Sequence, residues 1–254
     1  MQLPINQQTV LITGGGRGLG SDISRSFYRE GAKVIINYRK SYDSANRLRN
    51  SLGDNAILIK GDIRNKEEVA TMRQELSAQE IFVNTIVHNA INDYKFNGEE
   101  RKKIEEIDWK DFQSQIETSQ KGFLNLLNIF TPIMKEKHFG RFITIGTNLF
   151  QNPVVPYHDY TAAKGGLLSM TRTAAIDLGQ FNINVNMISG GLLKITDASK
   201  DTPEEVFDYI KSITPLRKVT TTDDFSDAVL FFASPWSRAI TGQNLIVDGG
   251  LVLN

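Results

Sequence analysis

The sequence predicts an α/β fold in which a seven-stranded parallel sheet is covered by helices on both faces. Short runs of β-branched and other apolar residues alternate with segments of helical spacing, and this alternation continues from near the N-terminus to the C-terminus. Neither a repeat nor a low-complexity stretch divides the chain. Because parallel strands need crossover connections, strands alternating with helices at this spacing favour one wound sheet. At 254 residues the chain is long enough for one large domain, so we expect a single domain over 1–254.

The predicted elements follow from this alternation. The strands are expected at 10–12, 33–38, 56–62, 81–87, 140–146, 183–188 and 244–250. The helices are expected at 22–29, 41–52, 65–78, 108–137 with a bend near Pro132, 160–178, 204–212 and 222–233. A capping box from Thr202 and a proline in the first turn predict the start of the 204–212 helix, and 191–215 is the expected substrate lid. The charged stretch 92–106 is predicted to be a solvated surface excursion.

Composition excludes several classes of function. Lys plus Arg and Asp plus Glu number 29 each, so no net field attracts nucleic acid or an anionic membrane. The absence of cysteine excludes disulfides, thiol catalysis and cysteine metal sites. The three histidines lack metal-ligand spacing, so no metal site is predicted. No apolar run approaches the roughly 18 residues of a membrane span, and the N-terminus does not resemble a signal peptide, so we expect a cytoplasmic protein.

A glycine-rich turn follows the first predicted strand and precedes the first predicted helix. Gly14, Gly18 and Gly20 fall in this turn, together with Arg17 and Leu19. A diphosphate needs backbone N–H groups and a positive helix end, and glycine removes the Cβ that would block this approach. The context indicates a phosphate site, although surface turns also collect glycine.

Polar residues stand at the carboxyl ends of the predicted strands, where ligands of open parallel sheets bind. They are Thr13, Asn37, Arg39, Asp62, Asn89, Thr147, Ser189 and Gly190. We expect these strand ends to converge on one crevice.

Tyr160 and Lys164 are spaced as i and i+4 on a predicted helix and therefore share a face. A phenol has an unperturbed pKa of about 10. A lysine cation roughly 4 Å away, at an effective dielectric near 20, stabilises the phenolate by about 4 kcal/mol, or about three pKa units. We therefore expect Tyr160 to titrate in a range useful for proton transfer. The alternative is an ordinary amphipathic helix.

Together these motifs resemble the classical short-chain dehydrogenase/reductase family, and within it most closely the 3-oxoacyl-[acyl-carrier-protein] reductases. The resemblance rests on the glycine turn, Asp62, Asn89-Ala90, Thr147, Tyr160-Thr161-Ala162-Ala163-Lys164 and the C-terminal stretch from Thr241 to Gly250. It covers nearly the whole chain. It implies a Rossmann fold, a homotetramer, a role in fatty acid biosynthesis and, as a possible partner, acyl carrier protein.

The resemblance also implies residue roles. Tyr160 would donate a proton to the substrate carbonyl, Lys164 would bind the nicotinamide ribose and lower the tyrosine pKa, and Thr147 would hydrogen-bond the carbonyl oxygen. Asp62 would hold the adenine edge, and Asn89 would lie near the adenosine ribose; the alternatives are a capping acid and a turn asparagine. The full predicted cofactor set is Gly14, Arg17, Gly18, Leu19, Gly20, Arg39, Asp62, Asn89, Tyr160, Lys164 and Gly190.

Charge predicts the cofactor. NAD-binding folds of this kind carry an acid after the second strand for the ribose 2′-hydroxyl, whereas this strand ends in Asn37-Tyr38-Arg39-Lys40. Arg17 and Arg39 are positioned in the sequence to clamp a 2′-phosphate, so NADP(H) is predicted.

Four positions depart from the family pattern. Thr147 replaces the usual serine, and Ser119, the fourth predicted catalytic residue, stands where an asparagine commonly supports a water relay to the lysine. Ile91 replaces a glycine and Ser189 a proline.

We therefore expect an NADPH-dependent reductase of a carbonyl, with a 3-oxoacyl thioester as the favoured substrate. A small ketone, an alcohol or a sugar is the alternative substrate, and a non-catalytic NADP(H)-binding protein is the alternative class. Docking of an acidic carrier protein needs a basic patch. Lys135, Lys137 and Arg141 form the nearest candidate cluster to the active-site mouth, and the favoured alternative is a solvated helix end.

Overall fold

The computed structural model describes residues 3–92, 94, 96–194, 196, 199 and 202–253. Seven strands form a single parallel sheet in the order β3-β2-β1-β4-β5-β6-β7. They are β1 (Thr9–Ile12), β2 (Lys33–Tyr38), β3 (Ala56–Lys60), β4 (Thr85–His88), β5 (Gly140–Thr147), β6 (Ile183–Gly190) and β7 (Asn244–Val247). The sheet confirms the predicted Rossmann-type α/β architecture.

The helices are α1 (Gly18–Arg29), α2 (Tyr42–Leu52), α3 (Lys66–Ala78), α4 (Trp109–Ile116), α5 (Gly122–Glu136), α6 (His158–Leu178), α7 (Glu204–Ile213) and α8 (Thr222–Ala233). Between α4 and α5, Glu117–Lys121 forms a π-helical turn. The predicted long helix is therefore continuous, but its irregularity lies at this wide turn, well before Pro132. Asp108 caps its start through a capping box with Asp111.

Alternating residues of β1 divide the core into two layers. Leu11 packs with α3, α5 and α6 on one face, whereas Val10 and Ile12 pack with α1, α2 and α8 on the other. This explains why the strands are largely apolar on both faces, since a parallel sheet is buried on both sides.

The chain reverses its winding direction beside β1, which pairs with both β2 and β4. Such a switch point opens a crevice at the carboxyl ends of the strands. The glycine turn after β1 lies at this crevice.

Several predicted boundaries were wrong. Strand β4 begins at Thr85 rather than at 81, because the apolar residues before it pack against the core without joining the ladder. Strand β7 ends at Val247, since Asp248 turns the chain by accepting the backbone N–H groups of Gly250, Leu251 and Val252. The capping box predicted from Thr202 is also wrong: Pro203 is the N-cap of α7 and has no side-chain oxygen to cap it.

Candidate active site

The glycine turn has the shape that its sequence predicts. Gly14 and Gly18 adopt positive φ angles of 62° and 50°, a region that other residues enter at a steric cost. A Cβ on Gly20 would lie 2.3 Å from the carbonyl oxygen of Gly14. Helix α1 begins at Gly18 without a side-chain cap from Arg17 in the described chain. The first N–H groups of α1 therefore suit a diphosphate, which is the chemistry of a dinucleotide cofactor.

Two asparagines hold this turn in place. The Asn37 Nδ2 atom donates to the Gly61 carbonyl at 3.0 Å, and the Asn37 carbonyl accepts from Gly15 N–H at 3.0 Å. The Asn89 amide donates to the Thr13 carbonyl at 3.0 Å and is 3.4 Å from that of Gly14. Asn89, predicted to lie near the adenosine ribose, thus supports the glycine turn from behind. Asn37 has the same kind of role, which the sequence analysis did not assign.

The predicted adenine end carries an arginine that the sequence analysis did not identify. The Arg64 guanidinium donates to both carboxylate oxygens of Asp62, with an Nη2–Oδ2 distance of 2.6 Å. The Arg39 Nη1 atom lies 3.6 Å from Oδ2 of the same carboxylate. These contacts, above all the hydrogen bonds from Arg64, hold the pKa of Asp62 below its ordinary value. Asp62 is therefore an ionised acceptor already engaged by a neighbouring cation.

The three residues predicted for proton transfer meet at the carboxyl end of β5. Thr147 is the last residue of β5, while Tyr160 and Lys164 lie in the first two turns of α6. The Thr147 side chain hydrogen-bonds the Tyr160 hydroxyl, and the Lys164 ammonium donates to the Ile145 carbonyl at 2.6 Å. All three side chains are buried. The α6 helix and β5 thus bring together groups that the sequence separates.

The pKa of Tyr160 shifts opposite to the expected direction. Burial raises the pKa of its phenol to about 12, and the Thr147 hydrogen bond opposes the rise. Burial also lowers the pKa of Lys164 to about 8. The Lys164 Nζ atom lies 5.8 Å from the centroid of the Tyr160 ring. Desolvation therefore outweighs the lysine charge, and Tyr160 carries its proton at neutral pH.

Ser119, the fourth predicted catalytic residue, lies buried in the π-helical turn. Its carbonyl lies 2.9 Å from Nε2 of His88, which ends β4. Because a carbonyl only accepts, this nitrogen carries the proton of the ring. Burial, and secondarily the charge of Lys164, lowers the pKa of His88 to about 3, so the ring is neutral. His88 therefore donates a hydrogen bond to the Ser119 carbonyl oxygen. The family resemblance implies a water relay at this position.

Ser189 and Ile91 are the other two positions that depart from the family pattern. The Ser189 hydroxyl donates to the side chain of Asn244 at 2.7 Å, and Ile91 is partly exposed. Gly190 ends β6 against Phe225, whose ring would lie 2.9 Å from an added Cβ. Of the predicted lid over 191–215, positions 195, 197, 198, 200 and 201 lie outside the described residues, and its helix is α7.

The charged excursion between β4 and α4 contains residues that the sequence analysis assigned to solvent. Glu99 is exposed and forms an ion pair with the partly exposed Lys103, as expected of a solvated run. However, the rings of Tyr94 and Phe96 lie 5.4 and 5.1 Å, respectively, from that of Tyr160. Their aromatic character was the available signal. This excursion therefore forms part of the site.

The nominated basic cluster lies elsewhere. Arg141 is buried at the start of β5, where its guanidinium lies 4.5 Å from the centroid of the Phe139 ring. Because Thr147 ends the same strand, Arg141 is at the opposite edge of the sheet from the site. The interpretation of Lys135, Lys137 and Arg141 as a carrier-docking patch at the active-site mouth was wrong.

Two features are absent from the described ranges. Histidine, aspartate and glutamate side chains form no group of three that would hold a metal ion. No helix there combines the length and apolar character needed to cross a membrane.

Comparison with known proteins gives matches over the whole chain. The family model described as enoyl-(acyl carrier protein) reductase matches residues 14–252. The chain is 29% identical over 249 residues to 3-oxoacyl-[acyl-carrier-protein] reductase FabG of Staphylococcus epidermidis, covering 97% of this chain and 99% of the relative. It is also 29% identical over 253 residues to 7alpha-hydroxysteroid dehydrogenase of Escherichia coli, covering 98% and 95%.

Solved structures share the fold. A crystal structure from Agrobacterium tumefaciens, assigned provisionally as a gluconate dehydrogenase, aligns with a TM-score of 0.88 at 26% identity over 98% of both chains. A gluconate 5-dehydrogenase from Burkholderia cenocepacia, solved with NADP and tartrate, aligns with a TM-score of 0.86 at 24% identity over 98% of this chain and 96% of its own.

The family model spans almost the entire chain, and the relatives match it from end to end. The chain therefore belongs to the short-chain dehydrogenase/reductase family, whose members are nicotinamide-dependent oxidoreductases acting on CH–OH and C=O groups.

Proposed function

We propose that this protein is an NADPH-dependent reductase that transfers hydride to a carbonyl, with a 3-oxoacyl thioester as the favoured substrate. The observation that carries the proposal is the buried trio of Thr147, Tyr160 and Lys164 at the carboxyl end of β5, beside the glycine turn. A phenol with a pKa of about 12 holds the proton that carbonyl reduction consumes.

Each residue of the trio has a distinct task. The nicotinamide supplies, when bound, the hydride that adds to the carbonyl carbon. Tyr160 Oη gives its proton to the carbonyl oxygen, which becomes the hydroxyl of the product. The single O–H of Thr147 donates to the same substrate oxygen, in place of its hydrogen bond with the Tyr160 hydroxyl. Lys164 contributes positive charge that stabilises the tyrosinate left after transfer, and solvent then returns the proton.

Arg39 and Arg17 support the choice of NADPH. Arg39 follows β2, is partly exposed, and has its Asp62 partner at the long distance of 3.6 Å. Arg17 is exposed at the start of α1. Arg17 in the glycine turn and Arg39 after β2 thus supply two cations, which supports the choice of a cofactor with a 2′-phosphate.

An Arg39→Asp exchange tests this preference. We expect the ratio of NADPH to NADH affinity to fall by about tenfold or more, because the exchange replaces an attractive charge with a repulsive one. Lys40→Asp, the same exchange at the exposed neighbouring position, controls for the change of net charge. An Arg39→Asp protein that keeps its NADPH preference would contradict the assignment.

Turnover is tested by following NADPH oxidation with acetoacetyl-CoA, beside an NADH control and a Tyr160→Phe variant. We expect the wild-type protein to turn over and the variant to bind NADPH without turnover. Reduction of another small ketone or sugar, but not of acetoacetyl-CoA, would favour the alternative substrates. Tight NADPH binding without turnover on a broad carbonyl panel would favour a non-catalytic binding protein.

Carrier delivery and assembly are separate parts of the proposal. The name of the Staphylococcus epidermidis relative supports an acyl carrier protein as the carrier of the thioester, and with it a role in fatty acid biosynthesis. Faster reduction of the carrier thioester than of acetoacetyl-CoA would support delivery by the carrier. Light scattering coupled to size-exclusion chromatography tests the proposed homotetramer.

A further inference from the structure

The excursion between β4 and α4 is tied directly to the start of α6. The Tyr94 hydroxyl donates to Oδ1 of Asp159 at 2.9 Å, and Gly98 N–H donates to the Tyr157 hydroxyl at 2.7 Å. The Arg101 Nε atom donates to the Pro156 carbonyl at 3.3 Å. These bonds join the excursion to residues immediately before the predicted proton donor. The excursion is therefore anchored at the site.

The anchored segment places aromatic rings around Tyr160. Tyr94 stacks on its ring at 5.4 Å with an interplanar angle of 26°, and Phe96 meets it edge-on at 5.1 Å and 85°. Tyr157 contacts Tyr94 at 5.7 Å and Phe96 at 5.5 Å. We call Tyr94, Phe96 and Tyr157 the aromatic wall. Tyr94 and Phe96 are each only partly buried, so both residues keep some exposed surface next to Tyr160.

The chemistry of the aromatic wall is neutral. Burial, together with the hydrogen bond to Asp159, raises the pKa of Tyr94 above its ordinary value, so this phenol keeps its proton. A flat apolar group placed against these rings gains contact area and aromatic packing. A polyhydroxylated chain placed there would lose hydrogen bonds to water without replacement.

We propose that the aromatic wall makes the site selective for carbonyl compounds in which a flat apolar group is attached to the reacting carbon. This inference rests on the proposed carbonyl reduction and narrows its substrate class. Tyr94 and Phe96 act as specificity-determining residues, because a substrate whose oxygen reaches the Tyr160 hydroxyl brings its neighbouring atoms against these rings.

The test uses two β-keto esters that differ only at the reacting carbonyl. Ethyl benzoylacetate carries a phenyl group there, and ethyl acetoacetate carries a methyl group. We expect Tyr94→Ala to lower the ratio of their kcat/KM values, benzoyl over aceto, by about tenfold, with most of the change in KM for the benzoyl ester. Because the intrinsic reactivity of each ester is the same for every variant, this ratio reports on the wall.

Matched variants distinguish the effect of the Tyr94 ring from that of its hydroxyl and from a non-specific loss of activity. Tyr94→Phe keeps the ring and loses the bond to Asp159, so it should retain the wild-type ratio. Phe96→Ala should lower the ratio as Tyr94→Ala does, which provides a second test if one variant folds poorly. Trp236→Ala removes an exposed aromatic residue after α8, near the amino edge of the sheet, where Gln8 bonds the Ala233 carbonyl. It should leave the ratio unchanged.

Equal losses for both esters in Tyr94→Ala and Phe96→Ala would overturn the selectivity. If the wild-type protein reduces neither ester, the proposed reaction fails for this class, but calorimetric titration of the NADP⁺-loaded protein still tests the wall. Tighter binding of the benzoyl ester, lost in Tyr94→Ala, would support the wall in that case. Equal binding of the two esters to the wild-type protein would overturn it.

Discussion

Replacing Gly20 with alanine tests directly whether the glycine turn binds the cofactor phosphates. The new Cβ would lie 2.3 Å from the Gly14 carbonyl oxygen and 2.7 Å from Nδ2 of Asn89. The first contact is with backbone that is itself held at a positive φ angle, so it has little room to move. Overpacking of this kind costs about 1–3 kcal/mol, against a gain of about 1 kcal/mol from replacing glycine in a helix. We expect a net loss of about 0–2 kcal/mol in the free energy of unfolding.

The shift that relieves this contact also moves the glycine turn, so NADPH affinity should fall by about tenfold or more. Gly179→Ala provides the matched control. Gly179 has right-handed helical angles, and nothing lies within 4 Å of an added Cβ. This variant should be unchanged or more stable by about 0.4–1 kcal/mol, with unaltered NADPH binding. Urea unfolding measures the free energy of unfolding, and fluorescence titration measures the NADPH affinity. Equal NADPH affinities for the two variants would refute phosphate binding by the glycine turn.

Three further outcomes follow from buried charges. The kcat/KM for carbonyl reduction should show an alkaline limb near pH 8, where Lys164 loses its proton, and a flat profile from pH 7 to 9.5 would contradict this. Lys164→Met should raise the free energy of unfolding at pH 7 by about 1–3 kcal/mol. Because folding lowers the pKa of Lys164, the stability of the wild-type protein in urea unfolding should rise between about pH 8 and 10.5, and the variant should lack this rise. Asp248→Ala should lower the free energy of unfolding by about 3–5 kcal/mol, since it removes the acceptor of three backbone N–H groups and of the Asn148 amide. Asp227→Ala, at an exposed carboxylate, should change it by no more than about 0.5 kcal/mol, and similar urea midpoints for the two variants would disprove this role of Asp248.

The architecture was predictable because it depends on local periodicity. Every predicted strand and helix exists, since apolar runs and helical spacing are properties of neighbouring residues. Boundaries set by distant contacts were not predictable. Residues 81–83 are as apolar as a strand, but they pack in the core without joining the ladder.

The residues of the candidate site also fall into two groups, those that local motifs predict and those whose contacts depend on the fold. The glycine turn and the Tyr160–Lys164 pair are local motifs and were identified directly. Arg64 contacts Asp62 across a short separation, but its choice of partner depends on how the loop after β3 folds. The bond from Tyr94 to Asp159 joins segments separated in the chain by α4, the π-helical turn, α5 and β5, and the Tyr94 ring lies in a run whose charge favours solvent. The aromatic character of Tyr94 was a local signal, but the identity of its partner Asp159 was not.

The error in the pKa of Tyr160 has a physical lesson for the direction of catalysis. Spacing alone placed a cation near a phenol and predicted a lowered pKa, but it contained no information on burial. In the folded chain, β5, α6 and the anchored excursion remove water from Tyr160 and Lys164 together, so the pKa of the phenol rises to about 12 and that of the ammonium falls to about 8. At neutral pH the pair is therefore a protonated phenol beside a lysine cation. That is the form needed to protonate a carbonyl oxygen, whereas alcohol oxidation needs the phenolate, which burial disfavours.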